Sequence, residues 1–496
     1  MQTTPVRLLV LIMLGLFLRI AFIFTSNHIY RPDEIFQTLE PAHRIAFGYG
    51  IVPWDYQYGL RSYVLPFLLS LPLTATRLLH LDQPNLYISV LRLCIAGLSL
   101  VFIPAAYLIA RDVTRNKNQA FAAAFIIAVW YELIYFAPRA FTETVSASAF
   151  AVAVICLLSR RFHFPFLAGF FLAIGSLLRE QYFPVGLLLL YWIFRRWGRP
   201  AGYRALIGTL PAVFVFGLSD LIGYGTFMIH YVNNYRLSYS LGISTLFGQN
   251  PWWYYLQSLL ITSCLLAMLL LASRHRQKYY PYLAVYLAVL VIHTLIPHKE
   301  YRFIFLLIPL GLALIPSLLT QTLTSFGHRR PLMNQRIAMV IIGVVSILGI
   351  FDKLPFESSI YAQPPLMRDP VLDYLVQLSS NPAVCSVYTP DRDWVFAGSY
   401  LFLHQYFPLY SHDYGPPPAY LPSHLILPNH VPPPPGYRLL SQSKPYTLYI
   451  GGQPTRSNGY SLYQMIGPCQ KISAFSDTRS FDFLQPILQP FKPYYD

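Results

Sequence analysis

Charged residues are scarce in this sequence, and their scarcity excludes a soluble protein. Only 11% of the 496 residues are Asp, Glu, Lys or Arg, whereas 55% are hydrophobic, and the mean hydropathy is +0.44. This composition is far from that of a soluble domain of similar size. Acidic residues are fewer than basic ones, 21 against 36, which gives a formal charge of +15. The basic residues lie in short clusters between apolar runs, so the excess indicates membrane topology and argues against nucleic-acid binding.

The sequence also lacks the motifs of several common enzyme classes. It has no His/Cys spacing typical of a metal site, no glycine-rich phosphate-binding loop and no serine nucleophile elbow. We therefore expect no metal and no other cofactor, and nucleotide-sugar chemistry is disfavoured. Cysteine is rare as well, with five residues. Cys385 and Cys469 both lie in the C-terminal region, where they could form one disulfide.

Basic clusters alternate with apolar runs along most of the chain. Each of five clusters is expected to be a cytoplasmic turn: residues 111–117, 160–161, 195–204, 274–278 and 329–336. The first apolar run, 8–25, is long enough to span a bilayer. The run at 64–80 is interrupted by prolines and is expected to cross only partly. The pattern predicts an all-α polytopic membrane protein with about eleven spans and a cytoplasmic N-terminus.

The composition changes after residue 352. Residues 1–352 form the predicted transmembrane domain, which carries an outer loop at about 28–61. Residues 353–496 contain proline runs and many tyrosines but no run long enough to span, so we predict a small exported α/β domain on the ER-lumenal or periplasmic side. Three short apolar runs are predicted strands and a fourth segment is a predicted helix: 384–388, 424–427, 446–450 and, for the helix, 391–403.

An acidic pair, Asp33 and Glu34, follows the first span directly. Pro32 can start a helix, which would place both acids in its first turn. They could simply complement the helix dipole, or one of them could accept a proton from a substrate hydroxyl. Gln37 and Arg61, in the same loop, are candidate contacts to an acceptor or structural supports.

A basic string, His298-Lys299-Glu300-Tyr301-Arg302, lies on the predicted outer side, against the positive-inside bias. On a helix, His298 and Arg302 would share a face, and such a face suits a phosphate. The alternative is a snorkelling cluster that contacts anionic lipid headgroups, with Glu300 as its counter-ion.

Four further charged residues are candidates on this outer side. Arg19 lies inside the first span, where an ionisable residue indicates a functional site unless it snorkels outward. Arg139 could join the basic string in holding a phosphate, whereas Arg179 and Asp220 could be structural or help to bind an acceptor. Acids near residue 33 and bases near residue 300 together suit one reaction, in which a carboxylate takes the proton of an attacking hydroxyl and cations hold a leaving phosphate.

Several of these strings resemble glycosyltransferase family 22. They are the segment from Asp33 to His43, Trp54, Arg61-Ser62-Tyr63, the segment 247–255, and His298-Lys299-Glu300-Tyr301-Arg302-Phe303, which is the most specific. This family comprises the GT-C mannosyltransferases of GPI-anchor and N-glycan assembly. The resemblance is closest to the branch that adds the third mannose in GPI assembly and to its bacterial relatives.

The resemblance implies an inverting transfer of mannose from a dolichyl- or polyprenyl-phosphate carrier to a lipid-linked glycan, within membrane lipids and without a metal. It implies Asp33 as the general base, with Glu34 as the second candidate. A larger set of basic residues is implied to bind the donor phosphate: His298, Lys299, Arg302, Arg139 and Arg19.

Three positions depart from the family pattern. Arg31 stands where a His is expected, Pro53-Trp54-Asp55-Tyr56 replaces a Thr-Trp-Glu-Trp string, and Glu143 stands where the family usually has Asn. A different donor sugar therefore stays open. A transporter or flippase of a lipid-linked sugar is the alternative from another class, although it would place its polar groups near mid-membrane in paired halves, and no repeat is evident. A non-catalytic subunit with the same fold is the third possibility.

Overall fold

The chain is mostly helical in a computed structural model. The model describes residues 3–159, 164–258, 276–325, 368–389, 399–411, 421–450 and 453–468, with short pieces at 267, 270, 339–340, 343–348, 366, 478–479, 488, 491 and 493–494. The chain divides into two compact units. The first comprises Met1–Phe22, Cys94–Tyr231 and Tyr235–Leu354, and the second comprises Ile23–Leu93, Val232–Asn234 and Pro355–Asp496.

Apolar helices make up the first unit. Among the residues that the structure describes, three helical stretches are long and apolar enough to cross a membrane by length and composition: Pro5–Thr25, Pro84–Thr114 and Glu180–Tyr224. The helices that belong wholly or partly to this unit are Thr3–Thr25, Pro84–Ser99, Phe102–Thr114, Lys117–Val129, Tyr131–Phe136, Thr142–Leu158, Pro165–Leu178, Phe183–Tyr224, Ile229–Asn233, Ile243–Leu246, Tyr254–Ser258, Tyr280–Leu295 and Leu307–Ser325. Shorter 3₁₀ and π turns lie at Glu180–Tyr182, Asn234–Ser240, Arg276–Tyr279 and Tyr301–Ile304.

The longest stretch, Phe183–Tyr224, is two helices joined at Gly198. Gly198 has a φ of +81°, a conformation that glycine adopts without strain, and it lies inside the predicted basic turn at 195–204. The helix Pro165–Leu178 packs against both arms, because its residue Gly169 abuts the carbonyl of Ala205 and its residue Ser176 abuts Gly186. The break therefore falls where the basic cluster predicted the chain to turn.

The second unit contains the outer loop and the C-terminal region. Its remaining helices are Pro32–Glu34, Glu40–Phe47, Trp54–Gln57, Val64–Leu78, Pro370–Ser379 and Ser399–Leu403, with a π turn at Ile35–Leu39. The strands in chain order are β1 Val52–Pro53, β2 Val387–Thr389, β3 Leu409–Ser411, β4 His424–Pro428, β5 Tyr437–Gln442, β6 Tyr446–Ile450, β7 Gln453–Ser457, β8 Tyr460–Met465 and β9 Thr478–Arg479. The helix Val64–Leu78 has 15 residues, about 22 Å at 1.5 Å per residue, which is shorter than a hydrocarbon core.

A mixed five-stranded sheet forms the centre of the C-terminal region, in the order β3-β2-β4-β8-β5. β2 is parallel to β3 and β4, whereas β8 is antiparallel to β4 and β5. All five residues of the central strand β4 are buried, which is why it is a continuous apolar run in the sequence. The predicted strands at 384–388, 424–427 and 446–450 are matched by β2, β4 and β6. The predicted helix at 391–403 is observed at Ser399–Leu403, and residues 391–398 lie outside the described residues.

Main-chain pairing joins the outer loop to the C-terminal region within the second unit. β1 pairs with β9 in parallel, with Val52 opposite Thr478. The hydroxyl of Tyr87 also donates to the carbonyl of Leu401. Sequence composition placed the domain boundary at residue 352 and kept the loop 28–61 with the helices, whereas the compact unit contains both this loop and the C-terminal region.

Cys385 is buried and disulfide-bonded. Its predicted partner, Cys469, lies outside the described residues. Cys94 and Cys156 are free thiols.

Candidate active site

The acidic pair opens a helix, which confirms the prediction from Pro32. Arg31 is extended, Pro32 takes the first helical position, and the amide of Glu34 donates to the carbonyl of Arg31 at 3.0 Å. Glu34 is 1% exposed and its Oε2 accepts the Tyr30 amide at 3.1 Å. Asp33 is half-buried. The two acids therefore differ. The Glu34 side chain is buried and its carboxylate accepts the Tyr30 amide, whereas the Asp33 side chain is more exposed.

A π turn at Ile35–Leu39 follows the acidic pair. Such turns are rare and are found frequently at functional sites. The turn contains the predicted support residue Gln37, whose carbonyl accepts the Tyr56 hydroxyl at 2.7 Å. Thr38 donates its hydroxyl to the carbonyl of Glu34 at 2.8 Å. These bonds hold the turn after Asp33 and Glu34 against the short helix Trp54–Gln57.

Asp55, on that short helix, pairs with the predicted support residue Arg61. Arg61 Nε lies 3.4 Å from Asp55 Oδ2. Asp55 is 3% exposed, and burial raises its pKa to about 6; the Arg61 cation acts in the opposite direction, and the negative charge of Asp33 adds to the rise. The sequence pointed to this position only as a departure from the family pattern, and Asp55 was not predicted as a site residue.

Glu40 is a second buried acid that the sequence did not single out. It is fully buried, and its two carboxylate oxygens accept the amides of Ile51 at 2.9 Å and Leu401 at 3.0 Å. Burial raises its pKa to about 7, although these hydrogen bonds act in the opposite direction. Glu40 therefore joins the outer loop to the C-terminal segment.

His43 lies one helical turn after Glu40 and is also fully buried. Its Nδ1 is 3.1 Å from the carbonyl of Tyr49, and its Nε2 is 3.1 Å from Nδ1 of His404. Burial and the charge of His404 together lower the pKa of His43 to about 3, although the hydrogen bond to the Tyr49 carbonyl acts in the opposite direction. The only sequence signal for this cluster was the presence of two polar residues on the buried face of an amphipathic helix.

In the first unit, two carboxylates hold the candidate cations. Glu300 bridges His298 at 3.2 Å and Arg302 at 2.7 Å. Glu143 lies 3.6 Å from Arg302 and 3.3 Å from Arg179. The side chains of Arg302, Glu143 and Arg179 are 2%, 0% and 6% exposed. Arg179 was predicted as a support residue and is observed beside Arg302, with which it shares one carboxylate.

The backbone of this string is not a regular helix. Glu300 is extended, with φ −130° and ψ 150°, and a 3₁₀ turn covers Tyr301–Ile304. His298 and Arg302 therefore meet through the Glu300 carboxylate and not as neighbours on a helix face. Aromatic rings complete the surroundings, with the Arg302 guanidinium 4.7 Å from the ring centre of Phe141 and that of Arg179 4.4 Å from Phe303.

Lys299 is 4% exposed and contacts backbone oxygens. Its Nζ donates to the carbonyls of Ile296 at 2.5 Å, Asn250 at 3.1 Å and Pro297 at 3.4 Å. Asn250 in turn donates through Nδ2 to the carbonyl of Lys299 at 2.9 Å. Burial lowers the pKa of Lys299. These contacts favour a role in holding two loop segments together over the predicted contact with a phosphate.

Arg19 and Arg139 are both buried. Arg19 is fully buried and donates from Nε to Ser99 Oγ at 2.8 Å and from NH1 to the carbonyl of Gly15 at 2.9 Å. It therefore packs between helices and does not snorkel outward. Arg139 is 3% exposed, and its guanidinium lies 4.3 Å from the ring centre of Tyr135.

Asp220 forms a buried pair with His230. Its Oδ2 accepts the main-chain amide of His230 at 3.0 Å and lies 2.5 Å from Nδ1 of the same residue. The side chains are 0% and 2% exposed. Asp220 thus fixes the turn that follows the long helical stretch. Within the described ranges, no group of three or more His, Cys, Asp or Glu residues is arranged to hold a metal ion.

The helical architecture matches solved membrane proteins. A crystal structure of ArnT from Cupriavidus metallidurans bound to undecaprenyl phosphate superposes with a TM-score of 0.54 at 11% identity, over 92% of this chain and 97% of that one. The apo structure of the same protein gives a TM-score of 0.52 at 13% identity, with the same coverage. The chain therefore has a GT-C membrane fold.

The family follows from the sequence match. Residues 10–368 match the model of the Alg9-like mannosyltransferase family, and the chain belongs to that family. This confirms the resemblance to glycosyltransferase family 22.

Three relatives with assigned names are 25% to 27% identical to this chain. GPI mannosyltransferase 3 of Drosophila melanogaster is 27% identical over 334 residues, 64% of this chain and 57% of that protein. GPI alpha-1,2-mannosyltransferase 3 of Mus musculus is 25% identical over 323 residues, 60% of this chain and 56% of that protein. GPI mannosyltransferase 3 of Yarrowia lipolytica is 26% identical over 399 residues, which are 77% of this chain and 72% of that protein. The chain thus spans little more than half the length of the fly and mouse relatives.

Proposed function

We propose that this chain is an inverting glycosyltransferase that moves mannose from a polyprenyl- or dolichyl-phosphate carrier to a hydroxyl of a lipid-linked glycan, on the non-cytoplasmic face of the membrane. Membership of the Alg9-like mannosyltransferase family is the observation that carries this proposal. The relatives named as GPI mannosyltransferases support mannose and a GPI-like glycolipid acceptor. The ArnT structure that contains undecaprenyl phosphate supports a polyprenyl-phosphate donor.

Asp33 is the proposed general base. The acceptor oxygen attacks the anomeric carbon and forms the new glycosidic bond, the bond from that carbon to the phosphate oxygen breaks, and Asp33 takes the hydroxyl proton. The half-buried position of Asp33 supports this choice over Glu34, whose carboxylate is buried and already accepts a backbone amide. Negative charge develops on the polyprenyl phosphate as it leaves, and nearby cations stabilise that charge.

Arg302 is the proposed centre of the donor-phosphate site, together with His298, Arg179 and Arg139. Arginine binds phosphate through two parallel N–H bonds, and its planar fork also stacks on the neighbouring phenylalanine rings. The contacts of Lys299 and Arg19 favour structural roles over direct contact with the phosphate, because both cations are buried against protein oxygens. We propose that Asp220 and Gln37 are also supporting residues.

The proposed topology has about eleven spans, a cytoplasmic N-terminus and an exported C-terminal domain. Long apolar stretches at Pro5–Thr25, Pro84–Thr114 and Glu180–Tyr224 support it, as do five shorter apolar helices. The break at Gly198 inside a basic cluster supports a cytoplasmic turn there.

The deciding experiment is transfer of labelled mannose from a short-chain polyprenyl-phosphate mannose to a lipid extract of the host membranes, with protein purified in detergent. Wild type should produce a labelled lipid, and Asp33→Asn should reduce the rate by about 100-fold or more. Asp82→Asn, the same change at an exposed acid of the second unit, is the matched control and should keep the wild-type rate.

Two outcomes would contradict parts of the proposal. A normal rate in Asp33→Asn would move the base to Glu34. No labelled lipid with wild type, combined with movement of the intact donor across vesicles that contain the protein, would instead favour the transporter alternative.

A further inference from the structure

Asp55 carries a buried carboxylate oxygen, Oδ1, to which none of the described residues donates a hydrogen bond. Oδ2 faces Arg61 at 3.4 Å, but among the described residues no hydrogen-bond donor reaches Oδ1. An unsatisfied buried polar atom costs about 1 to 3 kcal/mol, so natural proteins retain one mainly where a ligand or a water fills the gap.

Asp55 is also held in a fixed position near the proposed base. The Tyr56 hydroxyl binds the carbonyl of Gln37, which fastens the helix of Asp55 to the π turn that follows Asp33. Tyr56 is 2% exposed, and its ring lies 4.8 Å from the ring of Tyr63. The amide of Leu60 donates to the main-chain carbonyl of Asp55 at 2.7 Å. The charges of Asp33 and Asp55 act on each other within this one compact unit.

We propose that Asp55 is an acceptor-binding residue, whose free Oδ1 accepts a hydrogen bond from a hydroxyl of the acceptor sugar while Arg61 fixes the orientation of the carboxylate. The inference rests on the proposed transfer reaction. The ligand class is a polyol with neighbouring hydroxyls, of which one loses its proton to Asp33 and the other keeps its proton and donates to Asp55. No bond to Asp55 forms or breaks. A carboxylate suits this task because charge-assisted hydrogen bonds are stronger than neutral ones.

The environment of Asp55 gives this role a pH signature. Burial raises its pKa to about 6, Arg61 opposes the rise, and Asp33 adds to it. A protonated Asp55 loses the charge that strengthens the hydrogen bond, so acceptor binding should weaken as the pH falls through about 6. Arg61 and Asp33 are the charged groups that act on this carboxyl in the described part of the chain.

The test compares wild type, Asp55→Asn, Asp55→Glu, Arg61→Gln and the exposed-acid control Asp82→Asn. The donor is short-chain polyprenyl-phosphate mannose and the acceptor is a titrated lipid extract of the host membranes. Asp55→Asn should raise the half-saturating concentration of extract by about tenfold or more, with that of the donor unchanged. Asp55→Glu, which restores the charge, should recover part of the loss.

The pH profiles separate a binding role from a purely structural one. In wild type, acceptor binding should weaken below about pH 6, and we call this fall the acidic limb of the pH profile. In Asp55→Asn the acidic limb should disappear or move to lower pH, because Asp55 no longer titrates. In Arg61→Gln the limb should move to higher pH, because the cation that lowers the Asp55 pKa is gone. Asp82→Asn should keep the wild-type limb.

The possible failures are distinct. No labelled product with wild type would overturn the proposed function. Labelled product with wild type, together with an acidic limb that stays in place in both Asp55→Asn and Arg61→Gln, would overturn the role of Asp55 alone. If Asp55→Asn does not fold, Arg61→Gln and Asp55→Glu still provide the pH and saturation readouts.

Discussion

Replacing Glu40 by Gln should change the pH dependence of stability in a defined direction. The carboxyl is fully buried, and burial raises its pKa from 4.5 to about 7 even though the amides of Ile51 and Leu401 bind it. An acid whose pKa is raised by folding binds extra protons in the native state. Its contribution to stability is therefore fully present below pH 4.5 and is lost as the pH rises through about 7.

The size of this effect follows from the two pKa values. With 4.5 in the unfolded chain and about 7 in the native state, the contribution of Glu40 falls by about 2 to 3 kcal/mol between roughly pH 5 and pH 8. Gln does not titrate, but its Nε2 cannot accept one of the two amides that the carboxylate binds, so the variant is destabilised by about 1 to 3 kcal/mol at every pH. We therefore expect the difference in unfolding free energy between Glu40→Gln and wild type to move in favour of the variant as the pH rises from 5 to 8.

His43 acts in the opposite direction and must be separated from Glu40. Burial lowers its pKa from 6.5 to about 3, so its contribution is present above pH 6.5 and is lost as the pH falls toward 3. Both proteins contain His43, so the difference between their unfolding curves isolates Glu40. The assay is thermal unfolding in detergent, followed by intrinsic fluorescence from about pH 5 to 8, with wild type and variant measured in the same buffers. If the unfolding temperatures of wild type and Glu40→Gln change in parallel with pH, Glu40 does not titrate as its burial predicts.

Three further predictions concern the first unit and the metal question. Arg302→Gln should raise the half-saturating donor concentration by about tenfold or more and should weaken inhibition by undecaprenyl phosphate. If neither the half-saturating concentration nor the inhibition changes, Arg302 is not part of the donor site. Lys299→Met removes the Lys299 hydrogen bonds to three carbonyls, of which Pro297 keeps the Asn250 amide as a donor. The variant should therefore lower the free energy of unfolding by about 1 to 3 kcal/mol, while the half-saturating donor concentration stays near that of wild type. A large rise in the half-saturating donor concentration without a loss of stability would instead indicate that Lys299 binds the donor phosphate directly. Chelation with EDTA should leave transfer unchanged, whereas a loss restored by a divalent cation would contradict the expectation of a metal-free reaction.

The sequence predicted the parts of the fold that depend on local pattern. Apolar runs and basic clusters follow from the hydrocarbon thickness and the positive-inside bias, and the break at Gly198 falls inside such a cluster. The strand β4 was predictable because a strand buried on both faces is a continuous apolar run. The helix start at Pro32 was predictable because proline fixes the backbone angle that the first turn requires.

The contacts of Glu40, His43 and Asp55 were not predictable in the same way. Glu40 binds Leu401 and His43 binds His404, and each partner is 361 positions away. Hydrophobic periodicity reports only local secondary structure, so it cannot predict contacts over such a distance in the sequence. Asp55 is close to Arg61 along the chain, but this spacing alone does not show that the two side chains pair or that the carboxylate is buried. Burial of the carboxylate and the use of a single oxygen, which make Asp55 a candidate, exist only in the folded chain.

The basic string near residue 300 shows why residue types alone assign a phosphate site incompletely. Counted by type, His298, Lys299 and Arg302 form a concentrated positive group. In the fold, the charge of Arg302 is balanced by Glu300 and Glu143, and Glu143 also balances Arg179. A buried cation that is already paired gives a new anion less net energy than a bare one, because the phosphate must compete with the resident carboxylate. We therefore expect a donor phosphate at the proposed site to bind with an affinity that depends on Glu143 and Glu300 as well as on the cations, because the phosphate would have to separate those pairs.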